Sequence, residues 1–430
     1  MSMSKSVAFV TMGCAKNEAD TARMQQDLLR AGYTIVEPDQ QSDAIVVNTC
    51  SFIQSAIEES LDVIFDIADE EAVVSGATKL IVSGCLPSRF GDDLECELTE
   101  ADYFIPCSKE DDIVAIMNDI FQVTPRTQDE TLTFTYEPSE YVKISDGCNR
   151  FCSFCTIPFI RGRYHSFTAE SIMQDVDDKV RGGAKEIVLI AQDSGIWGRD
   201  LQPKETLASL MDQLATRHPD TWFRVMYLQP AGLTDELLDV MVAHDNICDY
   251  FDIPLQHCDV NILRSMNRTG SRDDMEAMVK RIRARIPDVA LRTTLIVGYP
   301  GETDQQFEDL CDFVSEGYFD YVGIFPYSPE EGTPAAELPD QIDEDTKQER
   351  FQTLRDIADA VSAQRISNRC GQHGDILVLG EEEDGQLYGR AQCQAPEVDG
   401  VTYLNTGHKG QFVPATIIDT LLYEMEDQRD

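Results

Sequence analysis

The sequence predicts an α/β protein with an N-terminal parallel-sheet domain, a central partial (β/α)6 TIM-like barrel and a small C-terminal antiparallel β-barrel. Strand-like and helical segments alternate along most of the chain, as they do in parallel sheets. Near its end, short strand-like runs broken by Gly, Pro and Asp replace this alternation, which is typical of small barrels. With 430 residues, the chain is too long for one hydrophobic core and is expected to form several domains.

The N-terminal domain, predicted over residues 4–122, carries three widely spaced cysteines. Cys14, Cys50 and Cys85 each end an apolar run, in KSVAFVTMGC, DAIVVNTC and TKLIVSGC. Their spacing of roughly 35 residues matches one βα unit. Because the carboxyl ends of parallel strands share one edge of a sheet, we expect the three thiols to meet there and bind metal. Three buried cysteines at strand ends are the alternative interpretation.

Residues 123–133 are polar and contain a proline, and they are predicted to be a linker. The central barrel is predicted over residues 134–366. Its six strand-like runs are YVKIS, EIVLIAQ, FRVMYLQ, YFDIPLQ, ALRTTLIVG and YVGIFPYS. Strictly alternating β and α units imply parallel strands joined by right-handed crossovers, and six units make an incomplete barrel. A charged segment over 344–368 is predicted to close it as a helix, and residues 367–430 form the last barrel.

The composition indicates a cytoplasmic protein without a membrane span. No apolar run approaches the roughly 20 residues that cross a bilayer, and the N-terminus shows no secretory signal. The 13 cysteines are therefore expected to be reduced, and the patterned ones to bind metal. Seven others show no ligand spacing and are interpreted as small hydrophobic residues: Cys96, Cys107, Cys248, Cys258, Cys311, Cys370 and Cys393.

The formal net charge of −43 admits two interpretations. A general acidic bias would keep the protein soluble and say nothing of its partners. Alternatively, the negative charge attracts a basic partner and repels nucleic acid, which is usually bound by basic patches. The basic run Lys280–Arg285 is interpreted as a solvated helix face rather than an RNA contact.

A second group of cysteines is tightly spaced. Cys148, Cys152 and Cys155 lie in CNRFCSFC, directly after the first barrel strand YVKIS. This position is the carboxyl face, where barrel enzymes perform chemistry. Three thiolates fill three corners of a cubane iron–sulfur cluster and leave one iron open for a small molecule. Zinc is the alternative, but zinc sites usually need four ligands, and the spacing of His165 does not supply one.

This spacing after this strand resembles the radical S-adenosylmethionine (SAM) superfamily. Together with the N-terminal triad and the terminal β module, GCNRFCSFCTIPFIRGR resembles the methylthiotransferases. Those enzymes consist of a cluster domain, a radical SAM core and a TRAM module. The strings DIPLQHCDVNILRSMNR and APEVDGVTYLN are similar to the RimO branch, which modifies an aspartate of small-subunit ribosomal protein twelve.

The resemblance implies two 4Fe–4S clusters and SAM as cofactors. Cys148, Cys152 and Cys155 would hold the cluster that binds SAM, and the radical formed from SAM would attack the β-carbon of the target aspartate. Cys14, Cys50 and Cys85 would hold the auxiliary cluster that delivers sulfur. The implied partners are the basic ribosomal protein, free or in its subunit, and a flavodoxin- or ferredoxin-type electron donor. Catalytic residues beyond the cluster ligands are not identified.

Three other functions are compatible with parts of the pattern. A transfer RNA adenosine methylthiotransferase would share both clusters, although the acidic terminal module disfavours transfer RNA. A non-catalytic iron–sulfur carrier is a different class, but carriers usually have four protein ligands per cluster. A zinc-binding structural protein is the third. Gln192 and Asp193, which end the second barrel strand, are candidates for facing SAM, and Arg292 and Thr294 on the fifth strand are weaker candidates. All four are interpreted as ordinary barrel residues and are not assigned to the site.

Overall fold

The computed structural model describes residues 4–123 and 132–427, in two compact units. The predicted linker 123–133 falls mostly outside the described residues. The first unit contains the described part of Met1–Thr133 together with Asp146–Phe151 and Cys155–Tyr164. The second contains Phe134–Ser145, Cys152–Phe154 and the described residues from His165 onward.

The first unit is built on a parallel five-stranded sheet with the order β2-β1-β3-β4-β5. Its strands are β1 Ser6–Thr11, β2 Thr34–Val36, β3 Ala44–Thr49, β4 Lys79–Gly84 and β5 Tyr103–Pro106. Its helices are α1 Ala15–Arg30, α2 Gln54–Ala68, α3 Glu71–Val74, α4 Cys85–Phe90, α5 Asp92–Glu97, α6 Ile113–Ile120 and α7 Ile157–Ile160. Two separate apolar clusters draw on alternate residues of these strands. The central strand β3 is therefore buried along its whole length, which explains why its sequence does not alternate with polar residues.

The second unit begins with the predicted partial barrel. Its six main strands are β6 Ser139–Lys143, β9 Glu186–Ile190, β10 Trp222–Val225, β11 Tyr250–Asp252, β12 Ala290–Val297 and β13 Tyr321–Pro326, and the short strands β7 Ser145–Asp146 and β8 His165–Ser166 also occur. The main strands form two parallel sheets, β6-β9-β10 and β11-β12-β13. A parallel bridge from Phe223 to Ile247 and a 2.9 Å hydrogen bond from Leu228 N to Asp252 O join the two sheets. All six predicted strands are confirmed.

Helices cover the outside of this barrel and bury its main apolar cluster. They are α8 Ala169–Arg181, α9 Leu207–Arg217, α10 Asp235–Ala243, α11 Val260–Ser265, α12 Arg272–Arg285, α13 Asp304–Ser315 and α14 Glu344–Ser367. The last of them is the predicted closing helix. Short 3-10 turns occur at Cys107–Asp112, Ser194–Ile196, Pro230–Gly232 and Pro334–Glu337. Within the two described stretches, none of the helices combines the length and apolar character that a bilayer span requires.

The chain ends in a closed five-stranded barrel with the order β14-β15-β16-β18-β17. The strands are β14 His373–Glu381, β15 Leu387–Ala391, β16 Thr402–Leu404, β17 Phe412–Leu421 and β18 Glu424–Asp427. Four neighbouring pairs are antiparallel, as predicted, whereas β16 and β18 are parallel. One parallel pair is unavoidable, because five strands, an odd number, cannot close into a ring in which every neighbouring pair is antiparallel.

Buried charges join this small barrel to the partial barrel. Glu186 at the start of β9 is fully buried, 2.9 Å from Arg224 and 2.5 Å from Arg390 of β15. Burial alone would raise the pKa of Glu186, but the two guanidinium groups outweigh it and lower that pKa to about 2. Nearby, the buried Asp399 accepts a hydrogen bond from the Tyr250 hydroxyl. Burial raises the pKa of Asp399 to about 6.

Candidate metal centres

The three widely spaced cysteines lie at one edge of the first unit's sheet. Strands β1, β3 and β4 are neighbours and run parallel, and Cys14, Cys50 and Cys85 follow their carboxyl ends. Gly13 has φ +94°, and a Cβ at this position would lie 2.6 Å from Cys50 Cβ. The loop after β1 therefore touches the loop after β3, and only glycine permits this contact.

Asn17, in the first turn of α1, links the three strand ends. Its side-chain nitrogen donates hydrogen bonds to Met12 O and Thr49 O, each at 2.8 Å. Its side-chain oxygen lies 3.9 Å from Cys85 Sγ. The side chain is completely buried. One amide thus joins the loop after β1, the end of β3 and the third thiol.

A buried arginine stands beside the same thiol. Arg161 Nη2 lies 3.8 Å from Cys85 Sγ and donates a 2.6 Å hydrogen bond to Asn17 Oδ1. Its Nη1 is 2.6 Å from Asp20, whose side chain is 1% exposed. Burial opposes the charge of Arg161, but the neighbouring Asp20 and thiols more than compensate, so its pKa is raised. Arg161 brings a positive charge to a site whose donors become negative when they bind metal.

The donor set fits an iron–sulfur cluster. The hydroxyl groups of Ser51 and Ser83, next to and two residues before triad cysteines, are buried and lack a hydrogen-bond partner in the described chain. Donors of this kind stabilise cluster sulfides. Residues 4–123 and 132–427 contain no group of three His, Cys, Asp or Glu side chains arranged around one ion. Cubane thiolates bind three different irons, so they need not converge on a point.

A fourth cysteine reaches the same edge. Cys107 follows the carboxyl end of β5, the strand beside β4, and its thiol is hydrogen-bonded to that of Cys85. The sequence interpretation grouped Cys107 with the unpatterned cysteines. The run ADYFIPC, an apolar stretch that ends in cysteine like the other three, was the signal that could have identified it. Of the remaining six, Cys248 and Cys258 are buried as interpreted, whereas Cys96 and Cys370 are exposed.

Two members of the tight triad, Cys148 and Cys155, belong to the first unit. Cys148 N donates a 3.2 Å hydrogen bond to Gly162 O. The preceding Gly147 has φ +71°, and a Cβ there would lie 2.3 Å from Arg163 O. The loop that carries Cys148 therefore packs its backbone directly against the segment after Cys155.

The third member, Cys152, belongs to the second unit, where Arg268 lies beside it. Arg268 Nη1 is 3.8 Å from Cys152 Sγ. Its Nη2 donates 2.6 Å hydrogen bonds to Gln229 Oε1 and Pro254 O, at the carboxyl side of β10 and β11. The next residue, Ser153, is anchored by hydrogen bonds within the same unit. Arg268 places positive charge next to a predicted cluster ligand. It ends the string DIPLQHCDVNILRSMNR, in which the sequence analysis identified no site residue.

The interpretation of Arg292 as a barrel residue agrees with its contacts. Its side chain lies 3.2 Å from Asp252 and 3.4 Å from Asp399, within the charge network that joins the two barrels.

A different polar cluster follows β12, where the buried Glu302 accepts a hydrogen bond from Gly298 N and pairs with Arg350 at 3.0 Å. Burial outweighs these partners and raises the pKa of Glu302 to about 7.

The basic run on α12 and the acidic terminal module carry opposite charges. The basic run on α12 is paired with carboxylates, since Arg283 lies 3.1 Å from Asp320 and Arg281 lies 3.8 Å from Asp235. On the terminal barrel, an open pocket of about 250 Å³ is lined largely by acidic groups. They are Glu382, Asp384, Glu426 and Asp427, around Tyr403. This face offers negative charge to a partner.

Comparison with protein families gives three matches along the chain. Residues 6–106 match the Uncharacterized protein family UPF0004, residues 142–314 match the Radical SAM superfamily, and residues 370–427 match the TRAM domain. The order agrees with the three predicted parts. Each triad of cysteines falls inside one of the first two matches.

Curated relatives cover almost the whole chain. A protein of Syntrophus aciditrophicus is 39% identical, and the match covers 98% of this chain and 96% of that protein. Relatives from Geobacter sulfurreducens, at 39%, and Clostridioides difficile, at 38%, each match over 97% of both chains. All three are named ribosomal protein uS12 methylthiotransferase RimO.

Solved structures support the fold at low sequence identity. The radical SAM methyltransferase TsrM from Kitasatospora setae has a TM-score of 0.57 and 14% identity, and the match covers 77% of this chain and 74% of that one. The cobalamin-dependent radical SAM enzyme OxsB has a TM-score of 0.52 and 13% identity, covering 82% and 56%. At these identities the likeness shows a shared architecture alone.

Proposed function

This chain belongs to the family of ribosomal protein uS12 methylthiotransferases named RimO, and we propose from that premise that it methylthiolates the β-carbon of an aspartate in uS12. The similarity at 38–39% identity over 97–98% of the chain is the observation that carries this proposal. The chain is a radical SAM methylthiotransferase, and its family uses SAM and an iron–sulfur cluster.

Two sets of residues are proposed to hold two 4Fe–4S clusters. Cys148, Cys152 and Cys155 form the set for the cluster that binds SAM, and the C-x3-C-x2-C spacing supports this assignment. Cys14, Cys50 and Cys85 form the set for the auxiliary cluster, supported by their common sheet edge. When bound, these groups supply the radical chemistry and the sulfur, which no side-chain acid or base can provide.

The protein's own part is to position and shield the thiols. Asn17 fixes the loops after β1 and β3 relative to one another, and Arg161 fixes the Cys85 side chain. In the second unit, Arg268 fixes Cys152. Both guanidinium groups bring positive charge to cysteines that must be thiolates when they bind metal.

The acidic terminal barrel supports a basic protein as substrate rather than transfer RNA. Phosphate backbones are bound by unpaired Lys and Arg, but the basic run on α12 is paired with carboxylates. The pocket on the terminal barrel adds four carboxylates to that barrel's surface. A flavodoxin- or ferredoxin-type protein is proposed as the electron donor.

The decisive experiment is a substrate assay with purified protein. The anaerobically reconstituted enzyme is incubated with SAM, dithionite and either free uS12, isolated small subunits or transfer RNA. Mass spectrometry is expected to find one methylthio group on an aspartate of uS12 and no thiolated nucleoside. A variant with Cys14, Cys50 and Cys85 replaced by Ala is the control, and it should still form 5′-deoxyadenosine without modifying uS12.

Three outcomes would contradict the proposal. A thiolated nucleoside with unmodified uS12 would make the chain a transfer RNA enzyme. Intact clusters without 5′-deoxyadenosine would make it a carrier. Stoichiometric zinc in place of about eight irons per chain, four for each cubane, would exclude both iron–sulfur clusters.

A further inference from the structure

Cys107 and Cys85 occupy adjacent positions at the edge of the sheet. In the parallel ladder between β4 and β5, Gly84 is paired with Pro106, and each cysteine is the next residue. This pair is the last of the ladder, so both cysteines directly follow the ends of two hydrogen-bonded strands. The backbone therefore presents the two cysteines side by side.

Contacts hold the two thiols against one another. The thiol of Cys107 is hydrogen-bonded to that of Cys85. The backbone N–H of Cys107 donates a 2.7 Å hydrogen bond to Ser88 Oγ, which fixes the start of the turn after β5. Arg161 lies 3.8 Å from Cys85 Sγ. The residue Cys107 is half-buried, whereas Cys85 is buried, so a reagent reaches the pair through Cys107.

Neither of two simpler roles accounts for this arrangement. If Cys107 served only as a small apolar residue, it would need neither a half-buried position nor a second thiol beside it. A fourth cluster ligand would have to bind a different iron from Cys85, and thiolates on different corners of a cubane are farther apart than two hydrogen-bonded thiols. The contact is instead the one that precedes a disulfide.

We propose that Cys85 and Cys107 are a modification site, which oxidises to a disulfide when the protein lacks its auxiliary cluster. With hydrogen peroxide as a two-electron oxidant, the two thiols and one peroxide give one disulfide and two waters. A dithiol reductant returns two electrons and two protons and restores the pair. Because the proposed function makes Cys85 a cluster ligand, the disulfide blocks loading of the auxiliary cluster until it is reduced.

The experiment uses the full chain freed of iron. The protein is treated with hydrogen peroxide, its remaining thiols are alkylated, and unreduced peptides are mapped by mass spectrometry. We expect a linked pair of peptides containing Cys85 and Cys107, which disappears after dithiothreitol. Cys107→Ser should remove the link, and Cys107→Ala repeats the test with a second side chain. The control is Cys96→Ser, an exposed cysteine of the same unit, which should leave the link unchanged.

The second readout is iron content after cluster transfer from a loaded 4Fe–4S carrier protein, without free thiols. Oxidised wild type and Cys96→Ser should lose about half of the roughly eight irons that the reduced protein takes up, while peroxide-treated Cys107→Ser keeps them. Absence of the link, or Cys85 linked mainly to another cysteine, overturns the proposal. If reduced wild type takes up only half the iron, the auxiliary-cluster assignment fails, whereas the peptide map still decides the disulfide.

Discussion

Arg161 shows how one buried residue serves the candidate auxiliary site. It lies in the string GCNRFCSFCTIPFIRGR, yet its contacts are with Asp20, Asn17 and Cys85, which are distant in sequence. Its side chain is 2% exposed. A buried ion pair of this kind is costly to break, because the buried carboxylate that remains loses its nearest positive charge.

Arg161→Met is expected to destabilise the first unit by about 3–5 kcal/mol, since the buried Asp20 carboxylate loses its 2.6 Å partner and keeps the longer 3.6 Å contact to Arg23. Both tryptophans, Trp197 and Trp222, belong to the second unit, so fluorescence would not report this change. Hydrogen exchange of the amides in β4 is the appropriate measurement. The control is Lys79→Met, which removes a partly exposed ion pair to Asp102 and should cost about 1 kcal/mol or less. Equal effects of the two substitutions would argue against the role of Arg161.

At the scale of elements, the loop between β1 and α1 depends on Gly13. Gly13→Ala is expected to push the loops after β1 and β3 apart, because its Cβ would lie 2.6 Å from Cys50 Cβ in a left-handed conformation. Iron content should fall by about half, from roughly eight to four per chain, with 5′-deoxyadenosine formation retained.

The matched control for this loop is Gly76→Ala. Gly76 has a similar conformation, with φ +73°, but no atom lies within 4 Å of the position that an added Cβ would occupy. The control therefore carries the same backbone penalty without the collision. Loss of iron in both variants would show that strain, rather than contact with Cys50, is responsible.

The junction between β9 and β15 is held by Glu186 and its two arginines. Arg390→Met should destabilise the second unit by about 3–5 kcal/mol, because it leaves a buried carboxylate with one partner fewer. Trp222 packs against Phe412 of the terminal barrel with ring centres 4.7 Å apart, so tryptophan fluorescence during urea unfolding measures the change. Lys409→Met, which removes a surface pair to Glu137, is expected to change stability by less than about 1 kcal/mol.

For the whole molecule, Glu186 also predicts an acid limit to stability. Its pKa is about 2 when folded against an ordinary 4.5, so its contribution is complete above pH 4.5 and is lost as the pH falls toward 2. Glu186→Gln should flatten the pH dependence of the unfolding midpoint in this range. Asp399 has the opposite shift, to about 6, and Asp399→Asn should instead alter the dependence between about pH 4 and 6. An unchanged slope in Glu186→Gln would refute this account.

The net charge of −43 makes association with a basic partner sensitive to salt. Binding of uS12 is expected to weaken severalfold between about 50 and 200 mM salt, since screening shortens the range of attraction to about 10 Å or less. Binding of transfer RNA should be weak at low salt and should not weaken further, because both molecules are negative. Titration calorimetry at several salt concentrations distinguishes the two. Salt-independent binding of uS12 would mean that the acidity is a general bias.

Local pattern was sufficient for most of the architecture. The apolar runs before Cys14, Cys50 and Cys85 predicted parallel strands with a common edge, because parallel strands end on the same side whatever separates them in sequence. The six central runs predicted the partial barrel for the same reason. The parallel pair β16–β18 was not predicted, since strand direction in a closed ring depends on how all five strands meet.

The sequence by itself determined the two cysteine triads and the three-part fold, because strand periodicity and cysteine spacing are local properties, and the family resemblance of its motifs implied the class of chemistry. Only the tertiary structure decided which groups surround the thiols. Asn17, Arg161 and Arg268 reach cysteines through folded contacts that no spacing encodes. Cys107 is the clearest case, because its pairing with Cys85 arises from the register of two neighbouring strands. Such contacts join residues far apart in the chain, and burial and charge select them only once the sheet has formed.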